Sequence, residues 1–204
     1  MSFQIDLGGA STYTPYSGSG SSLLNHDGIF TFLIADAKEG ESRSGNKTIE
    51  LTLVCQDDDE KGQRLMKAIP VTGNRKDGKP NVHALLALFR SIYTAGGSTD
   101  DEATAKVQSM SGALDSTKVI ETIKNKNCIA DVTSRVYTRQ DGTQGASSDA
   151  NNFVTAGKLE SARSIGAHRR ALPAAVVAAA SGGSQATAAA SNGVNQSASD
   201  LDLV

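Results

Sequence analysis

Tryptophan is absent from the 204 residues, proline occurs four times, cysteine twice, and the aromatics are limited to five phenylalanines and four tyrosines. Two cysteines, Cys55 and Cys128, with no third ligand at short spacing, exclude a disulfide framework and a zinc pattern, and point to a reducing compartment. The longest apolar run, residues 171–180, is too short and too alanine-rich to span a bilayer. No basic flank followed by an apolar stretch opens the chain, so no signal peptide is expected. Net charge is −2, which at first sight disfavours a nucleic-acid binder.

What is present is unevenly spread. Residues 1–22 are rich in Gly, Ser and Thr and read as a flexible arm. Residues 171–199 carry no charge and no aromatic, so they read as a mobile linker with too little bulky apolar surface to offset ordering, or as a partly helical stretch around residues 174–180. Residues 200–204, Asp-Leu-Asp-Leu-Val, form an acidic and apolar tip. The informative domain is residues 23–170.

Within it, residues 28–37 are apolar and β-branched, residues 47–56 alternate cleanly, and residues 63–71 offer a third strand before Pro70. Short connections make these an antiparallel meander. Asn81 is placed to cap a helix with apolar residues at three and four spacing from Val82 to Tyr93. A polar stretch follows, then a short helix opened by Asp115 or Ser116. Residues 127–139 alternate again, Asp141-Gly142 marks a hairpin turn, and residues 151–156 are the expected return strand. Three strands, a helix and two strands is the order of an OB-fold, so the expectation is a mostly β chain with a five-stranded, partly open antiparallel barrel, a helix between its third and fourth strands, and flexible tails.

Strand alternation puts Arg135, Tyr137 and Arg139 on one outward face. A sequence-tolerant binder of single strands needs cations beside an aromatic platform, because every base has a π-face and every linkage a charge. The alternative is an ordinary solvated strand face. Arg75, Lys76 and Lys79 make a basic loop that is suited to closing over a strand or is simply solvated, and Arg43 and Lys47 lie at the first hairpin tip. Phe153 is either a second platform or core. Charge is segregated: residues 61–79, 124–139 and 158–170 sum to +5, +3 and +3, whereas residues 57–60 and 100–102 sum to −4 and −3.

Catalytic patterns are thin. His26, His83 and His168 are scattered, and the four acids Asp57 to Glu60 read as a solvated turn, with a Mg²⁺-dependent nuclease as the rival. Residues 73–79 fit a phosphate loop up to Pro80, which lacks both the hydroxyl and the amide such a loop requires. No enzyme, metal or cofactor is expected.

The stretch from Ile5 to Ala10, the strand at Gly28, the turn at Ser44 to Lys47, the helix after Pro80-Asn81, and Asn127 to Val132 leading to Asn151-Asn152-Phe153 resemble phage-encoded single-stranded DNA-binding proteins of the OB-fold type, over about residues 3–160. The resemblance implies non-catalytic protection of single-stranded DNA in phage replication and recombination, in the host cytoplasm, with homo-oligomers possible. It also implies that Asp200, Leu201, Asp202, Leu203 and Val204 recruit replication or recombination proteins, although the terminal Pro-Phe of bacterial counterparts is lacking. A structural or virion-associated β-protein without DNA binding is the alternative.

Overall fold

The computed structural model describes residues 2–6, 23–74, 78, 80–139 and 141–181. The candidate residues Arg75, Lys76 and Lys79, the tip from Asp200 to Val204, and most of the expected arm and linker lie outside the described residues.

The chain is mostly β. Its main sheet runs β4 (Arg64–Pro70), β3 (Lys47–Cys55), β2 (His26–Glu41), β6 (Asn127–Thr138), β7 (Gln144–Phe153), and β8 (Arg169–Ala171) adds to β2. Every pairing is antiparallel. β2 is the organising strand: its first half pairs with β6 through Gly28–Leu33, and its second half pairs with β3 from Phe32 to Glu41, with a register shift between Ile34 and Asp36. Gly28 is needed where β8 closes in, since a β-carbon there would sit 2.1 Å from the His168 carbonyl oxygen.

Alternation decides which face is buried. Phe30, Phe32 and Ile34 of β2, Ile49, Leu51 and Leu53 of β3, Leu65 and Ile69 of β4, and Cys128, Ala130 and Val132 of β6 form one core with α1 (His83–Ala95). Each such Phe, Leu or Ile contributes about 1.5–3 kcal/mol by burial. On the opposite face, Ile29 and Ile129 pack with Val154 and with Leu159 of α4 (Ala156–Ser164). Ser91 fastens α1 to β6, donating to the Ile129 carbonyl at 2.9 Å and accepting from its amide at 2.7 Å.

The structure departs from the sequence reading in several places. Asn81 does not cap α1; its amide donates to the Thr72 carbonyl at 2.7 Å and ties down the preceding loop. The polar stretch after α1 forms a further helix, α2 (Asp100–Gln108), held by a capping box between Thr99 and Glu102. β5 (Ala113–Asp115) and α3 (Ser116–Ile123) follow, the latter capped by Asp115 as its sequence suggests. The expected arm is not wholly loose: β1 (Gln4–Asp6) pairs with β5, and Ile5 is fully buried. At the other end, α5 (Ala174–Ala180) realises the helical alternative for the linker and packs on β6 and β7, burying Val176 and Ala179.

Among the described residues the sheet is open, with β4 and β7 as its edges and no strand pairing between them. The two edges are nonetheless close. Lys67 of β4 reaches Asp149 of β7 at 3.5 Å, both almost wholly buried.

Candidate nucleic-acid interface

The β6–β7 hairpin carries the exposed aromatic and its cations. β7 begins earlier than the sequence suggests, at Gln144 rather than residue 151, because its buried positions include Ser147, Ser148 and Asp149 instead of large apolar residues. The turn is fixed by Asp141, whose carboxylate accepts from the Thr143 amide at 2.9 Å and its hydroxyl at 2.6 Å. Those bonds, the hydroxyl's first, hold the Asp141 carboxyl below its usual range.

Tyr137 stands opposite Gly145 in the ladder and is 43% exposed. A β-carbon on Gly145 would lie 2.7 Å from the tyrosine Cζ, so the ring occupies the space a side chain would fill. The ring lies over the glycine, and a large part of the residue stays exposed to solvent. Arg135 and Arg139, both exposed, flank it at strand spacing. Arg139 is steadied by its own hairpin, donating to Thr143 Oγ1 and the Gln144 carbonyl at 3.3 Å each.

Arg135 also belongs to a second electrostatic arrangement. Lys67, one of the cations of the basic segment 61–79, is 2% exposed on the inner side of β4. Burial pushes its ammonium below the ordinary lysine range; Asp149 opposes that shift and the Arg135 charge adds to it.

The other expected site residues are placed elsewhere. Arg43 and Lys47 lie beyond the Glu41 end of β2, while Arg135 to Arg139 project past its Gly28 end, so the structure does not bring them together. Lys47 pairs with Glu41 at 2.5 Å. Phe153 is 7% exposed and packs in the main core opposite Ala130, which overturns its candidacy as a stacking platform.

The acidic turn is not merely solvated. Asp57 accepts from the Thr31 amide at 2.7 Å and pairs with Arg163 at 3.2 Å, and Asp59 pairs with Arg169. Glu60, 1% exposed, accepts from the Asn25 amide at 3.1 Å and Gln63 at 2.9 Å and meets His26 Nδ1 at 3.0 Å. Arg170 pairs with Asp131 at 2.9 Å. The third basic segment is therefore largely spent inside the molecule, a pairing that sequence-distant residues do not announce. Among the described residues no cluster of three His, Cys, Asp or Glu is arranged to hold a metal ion. No helix among them is long and apolar enough to cross a membrane.

Sequence reasoning missed Gly145 as the bed of the tyrosine ring. The signal was available only once the register was known. It also missed Met66, 43% exposed on β4, whose sulfur accepts from Thr52 Oγ1 at 3.6 Å.

No protein-family model and no curated protein matches this chain.

Proposed function

We propose that the protein binds single-stranded DNA, largely without regard to sequence and without catalysis, through the exposed end of the β6–β7 hairpin. The observation that carries this reading is the half-exposed Tyr137 ring seated on Gly145, with the exposed Arg135 and Arg139 on either side of it along the strand. A base stacks on the ring and the two guanidiniums neutralise adjacent phosphates. Asp57, Asp59 and Glu60 of the acidic turn are engaged in hydrogen bonds and ion pairs within the fold, which supports a non-catalytic role over a nuclease.

We read the architecture as an OB-type open barrel. The order β4-β3-β2-β6-β7, a long β2 shared between β3 and β6, helices between β4 and β6, and the Lys67–Asp149 contact across the β4 and β7 edges support it. The resemblance to phage single-stranded DNA-binding proteins supports a place in phage replication and recombination in the host cytoplasm, with the tip from Asp200 to Val204 recruiting protein partners.

The test is an anisotropy titration with labelled oligothymidylate and with duplex DNA at two salt concentrations. Tighter binding to the single strand, weakening steeply with salt through counterion release, is expected. Tyr137→Ala lowers that affinity on the order of 1 to 3 kcal/mol. Equal binding to both forms, or none, overturns the proposal.

A further inference from the structure

A cleft of about 200 Å³ opens between α1, the end of β7 and the start of α4, lined among others by Arg90, Ser91, Asn152, Phe153, Thr155 and Lys158. Two of the six are cations from different elements, and nothing in the interface described above uses them.

The polar groups of the cleft divide into those already occupied and those that are not. Ser91 spends its hydroxyl on Ile129 in both directions. Thr155 donates to Asp100 Oδ2 at 2.7 Å. Arg90 is different: its Nε is buried and has no hydrogen-bond partner among the described residues, and its Nη2 lies 3.9 Å from Asp100, too far for a hydrogen bond. Asp100 is committed to Thr155 and sits against Gly157, where a β-carbon would approach it to 3.2 Å. Apart from this long ion pair the Arg90 guanidinium makes no hydrogen bond to the described residues, its side chain is about one-third exposed, and Lys158 and Asn152 line the same cleft.

We propose that this cleft is a second anion site that takes a phosphate group, bound by the Arg90 guanidinium and the Lys158 ammonium with Asn152 as an amide donor. Arginine suits this because its planar fork matches phosphate oxygens, and lysine supplies a point charge. The Asp100 carboxylate beside Arg90 weakens the site for any small anion, which favours a phosphate already tethered in a strand. Asn152 stands opposite Asp131, which alternation puts on the same face of β6 as Arg135 and Tyr137. Gly145 and Asn152 are seven residues apart along β7, roughly 23 Å at strand rise. Ser147 and Asp149, which share that face between the two ends, are buried, so a strand that meets both Tyr137 and the cleft passes over the elements that cover them. Assigning the phosphate to a strand rests on the single-strand reading; the anion chemistry of the cleft does not.

The test uses the full chain and the variants Lys158→Gln and Arg90→Gln; Lys158 is exposed, so its variant keeps the fold. Affinity for short and long oligothymidylates is measured against salt, and the Arg90 Nε–H and Lys158 amide resonances are followed while inorganic phosphate, a mononucleotide or an oligonucleotide is added. For a strand phosphate, each variant lowers the magnitude of the salt slope by about 0.7 with the long oligonucleotide and leaves it unchanged with the short one. If no oligonucleotide binds but phosphate or mononucleotide shifts both resonances, and the shifts vanish in the variants, the cleft stands as a free-phosphate site and the single-strand reading falls. Unchanged slopes in both variants with no phosphate-dependent shift overturn the cleft while leaving the Tyr137 interface intact.

Discussion

The phenol ring of Tyr137 covers Gly145, the residue directly opposite it on the neighbouring strand. The pairing turns a half-exposed tyrosine into a surface of fixed orientation, and it makes the glycine as important to the site as the ring. Gly145→Ala, whose new carbon falls where the ring now lies, displaces the ring. Weaker single-strand binding with the fold retained is expected, read by anisotropy and circular dichroism; undiminished affinity in that variant would show that the ring's seat is irrelevant.

Lys67 and Asp149 form the buried contact between the two unpaired sheet edges. Asp149→Ala leaves a buried ammonium near Arg135 and costs about 3–5 kcal/mol in denaturant unfolding, whereas a Lys67→Met, Asp149→Leu double variant regains most of that loss. Additive losses in the double variant would show that the pair is not coupled.

The same lysine sets a pH dependence. Its folded-state proton affinity is lowered by burial, so the unfolded chain binds that proton more tightly. Stability contributed by this group therefore rises as pH climbs from the folded value toward the ordinary lysine value of about 10.4, and levels off above it. The difference in unfolding midpoint between the parent and Lys67→Met, followed with pH, shows the rise; a flat difference contradicts it.

Cys55 and Cys128 flank Phe32 from the two adjacent strands, each paired with it in register. Two strand spacings of about 4.8 Å separate their backbones, beyond disulfide reach. Burial pushes the Cys55 thiol up to about 11 and the Cys128 thiol higher still. Neither is expected to react with a thiol reagent in the folded protein, and both react on unfolding; rapid labelling of the native chain would contradict this.

Asp57 accepts the Thr31 amide and meets Arg163. Asp57→Ala is expected to cost on the order of 1.5 to 3 kcal/mol of stability, mostly from the amide bond to a charged acceptor, since Arg163 is half exposed. Single-strand affinity stays unchanged. Loss of a nucleolytic activity in this variant would instead revive the enzymatic reading.

The legible parts of the fold were those with strong periodicity. β3 alternates with one apolar face, β2 is continuously apolar where both faces are covered, and α1 carries its apolar residues at helical spacing, so each could be read locally. The first part of β7 could not: its buried positions before Phe153 are small or polar and are stabilised by partners such as Ser134, which meets Ser148 at 2.8 Å. α2 and α4 each bury only one or two side chains and are set by caps at Thr99 and Thr155 rather than by an apolar stripe. At the site, alternation was enough to place Arg135, Tyr137 and Arg139 together. Whether Phe153 faced out or in, and which cations were already paired, depended on contacts between residues up to 110 positions apart, as with Arg169 and Asp59.

Because the chain has no tryptophan, tyrosine emission is readable directly, and it tests the stacking claim most directly. Titration with oligothymidylate is expected to quench that emission in the parent, and Tyr137→Phe is expected to keep most of the affinity, measured by anisotropy, while losing the quench. Quenching that persists unchanged in Tyr137→Phe, or binding with no quench in the parent, would contradict a base stacked on Tyr137.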